Sequence, residues 1–367
     1  MTPDVWRGRK VFLTGHTGFK GGWLALLLRR LGAEVTGFAL EPPSRPSLFH
    51  QAGVRDVLHD VRGDVRDLAA VDTALRASGA EVVLHLAAQS LVRPSYDQPA
   101  ETFGSNVQGT VHVLEAARRA PHVRAVVVVT SDKCYRSEEW PWGYRESDRL
   151  GGRDPYSASK ACAELVVDSY RASFLDGTSA AAVATGRAGN VIGGGDWSDM
   201  RLVPDLMRGF LQRQEVVIRS PHAVRPWQHA LEPLAGYLLL AERLLAGAPG
   251  TAGAWNFGPE EADMRPVGWM VARAAELWGS DAQWRVEELA DGRETGLLRL
   301  DTAKARQQLG WRPRWGLEEG LDRTIRWYRA VGDDPASSSA AGEATMADIE
   351  AFLAARETAG HTLVEVT

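Results

Sequence analysis

Cysteine is nearly absent: Cys134 and Cys162 are the only two in 367 residues, which excludes a disulfide framework and a cysteine-based zinc site. Lysine is scarce as well. Lys10, Lys20, Lys133, Lys160 and Lys304 are the only five, and arginine carries most of the positive charge, an imbalance that suits a coding bias. Basic excess is also missing, since the formal net charge is −5 and the isoelectric point is near 6.0. Neither nucleic acid nor an anionic membrane surface is therefore an expected partner. The longest apolar runs, such as that within 123–130, fall far short of the roughly 20 residues that a spanning helix needs. Met1-Thr2-Pro3-Asp4 lacks the basic region that opens a secretion signal and leads towards a strand, so free thiols in a reducing cytoplasm are expected. The remainder, 44% apolar and 24% charged, is an ordinary globular composition, long enough for two domains or one large domain with a lobe.

The first half alternates strand and helix signals over short connections. Lys10–Thr14 reads as a strand, 22–31 as a helix closed by Gly32, and 34–40 as a second strand. The runs 82–86 and 125–130 are short, continuous and β-branched, as strands buried on both faces are, and 106–119 has helical spacing. This predicts an α/β fold, a Rossmann-type doubly wound parallel sheet. After Asn190 the texture changes to Gly193-Gly194-Gly195, scattered proline and tryptophan, and helix-like pieces at 202–213 and 266–277. That pattern predicts a smaller mixed α/β C-terminal lobe laid over the carboxyl ends of the sheet. The expected division is a first domain over 1–188 with a returning segment near 223–258, and a substrate lobe from 189–222 and 259–332. A linker-like stretch at 333–345 and a last helix at 346–357 within the tail 346–367 complete it.

Gly15-His16-Thr17-Gly18-Phe19-Lys20-Gly21 lies between the first strand and the first helix. Its three glycines let the backbone turn tightly and approach a pyrophosphate seated on the amino end of that helix. An acidic residue closing the second strand would bind ribose hydroxyls, but here Glu41 arrives late, before Pro42-Pro43, while Lys20 and Arg45 suit a 2′-phosphate. NAD and NADP therefore both remain open on the residues alone. Asp64, after a strand in Gly63-Asp64-Val65, is placed for an adenine amino group or for capping a helix.

Tyr156 and Lys160 in Tyr-Ser-Ala-Ser-Lys lie four residues apart on one helix face. A phenol with an ordinary pKa near 10 acts as a base only if its phenolate is stabilised, which a lysine ammonium and a positive nicotinamide ring achieve. Lys160 is also placed to hold the nicotinamide ribose. The strand 125–130 ends at Ser131-Asp132-Lys133, where ligands bind in such sheets. Eliminating water needs a proton donor, and Asp132 is the candidate; the bland alternative is an exposed Asp132–Lys133 ion pair.

The runs Gly-His-Thr-Gly-Phe-Lys-Gly (15–21), Leu-Glu-Pro-Pro (40–43), Ser-Asp-Lys-Cys-Tyr (131–135), Tyr-Ser-Ala-Ser-Lys-Ala-Cys-Ala-Glu (156–164) and Arg-Pro-Trp-Gln-His-Ala-Leu-Glu (225–232) closely resemble CDP-glucose 4,6-dehydratases, members of the extended short-chain dehydrogenase/reductase group. The resemblance covers nearly all of 8–330, and Asp132-Lys133 matches these enzymes where most dehydratases of the wider group have Asp-Glu. It implies NAD, held by Gly15, Thr17, Gly18, Phe19, Lys20, Gly21, Asp64, Val65, Leu86, Ala87 and Ala88 together with Tyr156 and Lys160. It implies Ser131, Asp132, Lys133, Tyr156 and Lys160 as catalytic residues, with Ser131 bonded to the reacting hydroxyl. Asn190 and Arg225 would hold the substrate diphosphate, the latter with a fork that matches phosphate oxygens, and Gln89 and Asn106 would line the sugar side. Two departures stand out: Ser90 replaces a usual proline, and Arg293-Glu294 replaces a usual His-Glu pair where a nucleotide is contacted, which leaves the base open.

The implied reaction is an internal redox cycle on an NDP-hexose: oxidation at C4, loss of the C6 hydroxyl with a proton from Asp132, and re-reduction at C6. Lys133 would either abstract the C5 proton as a neutral amine or stabilise the enolate as an ammonium. Alternatives are the same reaction on another NDP-hexose, and a 4-epimerase or decarboxylase, which would have no use for Asp132. A dinucleotide-sensing regulator is a third, against which the retained Tyr–Lys pair argues. No metal is expected. The resemblance also implies a homodimer or dimer of dimers through helices 106–119 and 156–170. Trp227, Trp255, Trp269, Trp278 and Trp284 are read chiefly as core.

Overall fold

A computed structural model describes residues 1–175, 181–287, 297–332 and 338–355. Seven strands form its central sheet: β1 (Lys10–Thr14), β2 (Glu34–Ala39), β3 (His59–Arg62), β4 (Val82–His85), β5 (Ala125–Val129), β6 (Ala182–Ala188) and β7 (Ala254–Phe257). All pair in parallel, in the order β7-β6-β5-β4-β1-β2-β3. The order reverses between β1 and β4, which opens a crevice at their carboxyl ends. Side chains alternate between two cores: Val11, Leu13, Val127 and Val129 face one side, and Phe12, Val126 and Val128 the other.

The longer helices among the described residues are α1 (Phe19–Arg30), α2 (Leu68–Ser78), α3 (Gly109–Arg119), α4 (Pro155–Phe174), α5 (Leu202–Leu211), α6 (Leu231–Leu245), α7 (Val267–Trp278), α8 (Leu317–Val331) and α9 (Ser338–Ala354). Leucines of α1 and α6 fill the first core, while Val71, Leu75, Val113, Leu114 and Val167 of α2, α3 and α4 fill the second. Local chemistry sets the entry to α4: Asp154 accepts the Ser157 N–H at 2.9 Å, and Pro155 occupies the first turn, where a missing N–H is harmless. Helix α1 starts three residues earlier than expected because the glycine loop itself turns into it, and a π-type turn at Gly104–Gln108 leads into α3.

Beyond β6 the chain forms small paired segments, among them Val224–Pro226 antiparallel to Met264–Pro266, and then returns to the sheet through α6 and β7. The expected linker at 333–345 needs correction. Residues 333–337 lie outside the described residues, but α9 begins at Ser338, so 338–345 is helical. Alanine favours helix, and its small side chains let α9 settle on the lobe: Ala341 is buried, and Thr345 accepts the indole N–H of Trp327 at 2.9 Å. Tryptophans serve the core as expected. Trp255 and Trp227 are buried, their indoles donating to the carbonyls of Thr251 and Arg265, and Trp278 packs on Phe210. Among the described residues no helix is long and apolar enough to cross a membrane.

Phe352 of α9 is fully buried edge-on to Trp315, with ring centroids 5.0 Å apart. Phe352→Ala is expected to lower the unfolding free energy by about 3 kcal/mol, read as a lower urea midpoint. An unchanged midpoint would mean that α9 does not pack there.

Candidate active site

The glycine loop has no room for side chains. Gly15 has φ +79°, and a Cβ there would lie 2.7 Å from the Ala87 nitrogen; one on Gly21 would lie 2.0 Å from the Gly15 carbonyl oxygen. Thr14 locks this junction, since its hydroxyl accepts the N–H groups of Leu86 and Ala87 at 3.1 Å each and hydrogen-bonds His85 at 2.7 Å. Gly18 caps α1 without a side-chain acceptor, so the first-turn N–H groups face the loop as donors for an anion. The residues thus fit a dinucleotide pyrophosphate. Asp64 is held by the Arg66 side chain at 2.8 Å and backbone at 2.9 Å, and Val65 packs on the Gly109 turn. Lys20 corrects one expectation: its ammonium lies 3.4 Å from the Tyr237 hydroxyl, inside the crevice rather than at the β2 end, so it is not placed to select a 2′-phosphate.

Ser131, Asp132, Lys133, Tyr156 and Lys160 come together at the carboxyl end of β5. The Ser131 hydroxyl donates to Asp132 Oδ1 at 2.9 Å, accepts the Lys133 N–H at 3.2 Å, and shares a hydrogen bond with the Tyr156 phenol. Asp132 is only 1% exposed, which overturns the exposed-pair alternative, and its Oδ2 has no hydrogen-bond partner. Lys133 places its ammonium 3.5 Å from Asp132 Oδ1, and Lys160 donates to the Val129 carbonyl at 3.2 Å. Burial pushes Tyr156 up to about 12, an effect opposed by Ser131, reinforced by Asp132, and opposed again by Arg201. Burial likewise pushes Lys160 down to about 8 and Lys20 down to about 7, with Lys160 and Arg201 adding repulsion on Lys20. The pocket is cationic and desolvated.

The model of the NAD dependent epimerase/dehydratase family matches residues 11–258. The chain belongs to that family. A CDP-glucose 4,6-dehydratase of Salmonella typhimurium is 48% identical over 334 residues, 90% of this chain and 93% of that protein. A dTDP-glucose 4,6-dehydratase of Streptomyces antibioticus is 32% identical over 73% of this chain and 76% of its own. Among solved structures, the NAD-dependent NDP-hexosamine 5,6-dehydratase TunA superposes with a TM-score of 0.74 at 26% identity, covering 89% of this chain and 99% of that one.

Not every residue expected from the family resemblance points at a ligand. Asn106 is saturated: its carbonyl oxygen accepts the Gln89 N–H at 2.8 Å, and its NH2 donates to the Gln89 carbonyl and the Ser159 hydroxyl. It therefore braces the 88–90 loop against α4 rather than lining the sugar, which corrects the expectation. The Gln89 amide is turned onto Leu91 and Thr102. By contrast, Asn190 has a buried Oδ1 with no hydrogen-bond partner, beside Gly189, where a Cβ would lie 3.2 Å from Asp132 Oδ2. Arg225 sits on the short strand 224–226 that follows, and Arg293 lies outside the described residues. Four residues were missed by sequence reasoning. Glu164, one turn beyond Lys160, pairs with Arg187 at 2.8 Å; its spacing from Lys160 was a usable signal. Arg201 and Asp196, paired at 2.9 Å, follow the glycine run 193–195 and carried none.

Lys20 occupies the first turn of α1, where an anion would sit, and a bound anion favours its ammonium and so raises its pKa. Affinity for an anionic ligand is then greatest below about pH 7, the value for the free protein, and falls as pH rises towards the bound value. Titration calorimetry near pH 8 in two buffers of different ionisation heat is expected to show proton uptake on NAD binding. Lys20→Met should abolish that uptake; equal uptake in the variant would assign the proton elsewhere.

Proposed function

We propose that this chain is an NAD-dependent NDP-hexose 4,6-dehydratase that converts CDP-D-glucose to CDP-4-keto-6-deoxy-D-glucose. The observation that carries the reading is Asp132: a buried carboxylate with one oxygen bonded to Ser131 and the other without a partner, beside the Tyr156 phenol. An oxygen so placed has a lone pair available for a proton in transit, which a leaving hydroxyl requires and a simple epimerisation does not. The relative named as a CDP-glucose 4,6-dehydratase, at 48% identity, supports the same chemistry and the cytidine nucleotide.

Gly15, Gly18, Gly21 and the first turn of α1 would hold the pyrophosphate of NAD, with Thr17, Phe19, Lys20, Asp64, Val65 and Leu86–Ala88 along its length. When bound, NAD supplies the reversible two-electron chemistry that no side chain here offers. The Tyr156 oxygen takes the proton of the C4 hydroxyl, Ser131 orients that hydroxyl, and Lys160 steadies the site from one helical turn away. Asp132, protonated on Oδ2 before the elimination, gives that proton to the C6 oxygen, which leaves as water with Asp132 left as the carboxylate, and the proton that Tyr156 took from the C4 hydroxyl balances it over the cycle. Lys133, beside Asp132, acts on the C5 side. Asn190 and Arg225 hold the diphosphate, and the buried walls around Asp132 and Tyr156 keep bulk water from the exchanged protons. Pairing of two copies through α3 and α4 is part of the same reading, supported by apolar side chains left exposed there, Leu165 on α4 and Phe103 ahead of α3.

A panel of CDP-, dTDP-, GDP- and UDP-glucose is expected to give the highest kcat/KM with the CDP-sugar and a product absorbing in alkali, as a 4-keto-6-deoxy sugar does. No turnover on any of them would refute the reading. In deuterated water, Asp132→Asn is expected to retain exchange at C5 while product formation falls about 100-fold or more. Lys133→Ala should reduce that exchange; undiminished exchange would remove Lys133 from the C5 step.

A further inference from the structure

We propose that the buried Glu164–Arg187 ion pair is a positioning device for the catalytic turn: through the Thr130 and Tyr135 hydroxyls it grips both ends of 131–134 and so sets Asp132 against Tyr156. Thr130, the residue before the turn, donates its hydroxyl to Glu164 Oε1. Tyr135, the residue after it, accepts a hydrogen bond from Arg187 Nη1 at 2.8 Å. The pair itself closes at 2.8 Å, and Glu164 Oε2 also accepts the Thr185 hydroxyl at 2.8 Å. From Tyr135 the bonds run on into β7. Its hydroxyl donates to Asn256 Oδ1 at 2.7 Å, and the Asn256 NH2 donates to the carbonyls of Tyr144 and Asp301 at 2.8 and 3.0 Å. Those two carbonyls fix the orientation of the amide, so Tyr135 must donate to Asn256 and accept from Arg187. Donor and acceptor are thereby assigned at each link, and Thr130, Tyr135, Glu164, Thr185, Arg187 and Asn256 are all buried.

Placement, more than strength, argues for this role. Exchanging a buried ion pair for apolar side chains is often neutral for stability, so the fold alone does not call for one here. Glu164 lies one turn beyond Lys160, and the two grip consecutive residues at the end of β5. Lys160 donates to the Val129 carbonyl at 3.2 Å, and Glu164 takes the Thr130 hydroxyl. Tyr156 stands one turn before Lys160, its N–H accepted by the Ser95 hydroxyl at 3.2 Å. Helix α4 therefore carries both the phenol and the carboxylate that holds the start of the Asp132 turn. Arg187 passes that hold to the other end, its guanidinium 5.0 Å from the centroid of the Tyr135 ring, which is stacked on Tyr144 at 5.1 Å. Within the turn Ser131 bonds Asp132 at 2.9 Å, so a shift of either end moves the carboxylate. Loosening an anchor leaves Tyr156 and Lys160 on their helix but displaces Asp132, which separates oxidation at C4 from elimination at C6.

The inference rests on the reading of Asp132 as the C6 proton donor. The test compares Thr130→Val and Tyr135→Phe, each of which deletes one anchoring hydroxyl. It reads steady-state kinetics with CDP-glucose and, in the NAD-loaded protein during turnover, the near-ultraviolet absorbance of reduced nicotinamide. Each variant is expected to lower kcat about 10-fold with KM changed less than about 3-fold. The reduced fraction at steady state should rise about 3-fold or more, because oxidation continues while elimination lags. Glu164→Gln, which weakens both ends together, should raise that fraction at least as far. An unaltered fraction in the two hydroxyl variants or in Glu164→Gln, or a KM raised about tenfold with kcat in place, overturns the proposal and leaves the pair a structural contact. Should Thr130→Val or Glu164→Gln fail to fold, Tyr135→Phe decides alone. Amide hydrogen exchange gives a second reading of that variant: it should quicken at 131–135 and stay the same at 156–164. If the wild type turns over no NDP-hexose, the functional reading fails, yet the exchange comparison still tests the grip: equal exchange at 131–135 in wild type and Tyr135→Phe overturns it.

Discussion

A buried carboxylate among buried cations is the constraint on which this site depends. Asp132 is removed from water with one oxygen unbonded, and Lys20, Lys133, Lys160 and Arg201 are gathered around it and Tyr156. These four cations still outnumber the carboxylates set among them, Asp132, Asp196 on Arg201 and Glu164 behind Lys160. Desolvation is why Lys160 falls to about 8, against the attraction of Glu164, and desolvation together with repulsion from Lys160 and Arg201 is why Lys20 falls to about 7. Such an excess is resolved by anions, and the site as read takes two diphosphates, one from each ligand. The scarcity of lysine sharpens the point. Where arginine serves elsewhere, this chain places three of its five lysines in the crevice, and lysine differs from arginine in being able to surrender its proton there.

Topology supplies the other half of the explanation. The glycine loop follows β1, Leu86–Gln89 follow β4, Ser131–Lys133 follow β5, and Gly189–Asn190 follow β6. Four adjacent parallel strands thus deliver their loops to one crevice, and α4 crosses it to add Tyr156 and Lys160. The strand ends are held in register by buried polar groups that never need touch a ligand. Thr14 ties β1 to β4, and Glu164 ties Thr130, Thr185 and Arg187 behind Lys160. Removing water from around such a network makes it stiff only because each member is bonded.

Local patterns were legible in the sequence because their physics is local. A glycine spacing of three between a strand and a helix, a tyrosine and lysine one turn apart, and an acid at a strand end each state their geometry within a few residues. The hydrogen bond from Arg201 to the Ser90 hydroxyl is different: the two residues are 111 positions apart, and no periodicity connects them. Asn106 misled for a related reason. Its residue type suits a sugar hydroxyl, but only the fold reveals that Gln89 and Ser159 already occupy it. The Ser- and Ala-rich segment before Met346 has the composition of a linker, yet small residues are what allow α9 to pack on Trp327.

The phenol then poses the energetic question that the rest of the molecule must answer. Held at about 12, Tyr156 lies about five pH units above neutrality, roughly 7 kcal/mol of proton affinity that a base working near neutral pH must lose. Burial is the largest cause, and it cannot be relaxed without admitting water to the elimination. Counter-charge is the remaining remedy, and its sources differ in kind. Lys160 titrates within reach of neutrality and is held partly by the Val129 carbonyl. Arg201 is permanently charged but is already paired with Asp196. The positive ring of bound NAD is the third source, present only once the cofactor is seated. A base that becomes competent only with its oxidant in place keeps proton removal from running ahead of oxidation, which is the order that an internal redox cycle requires.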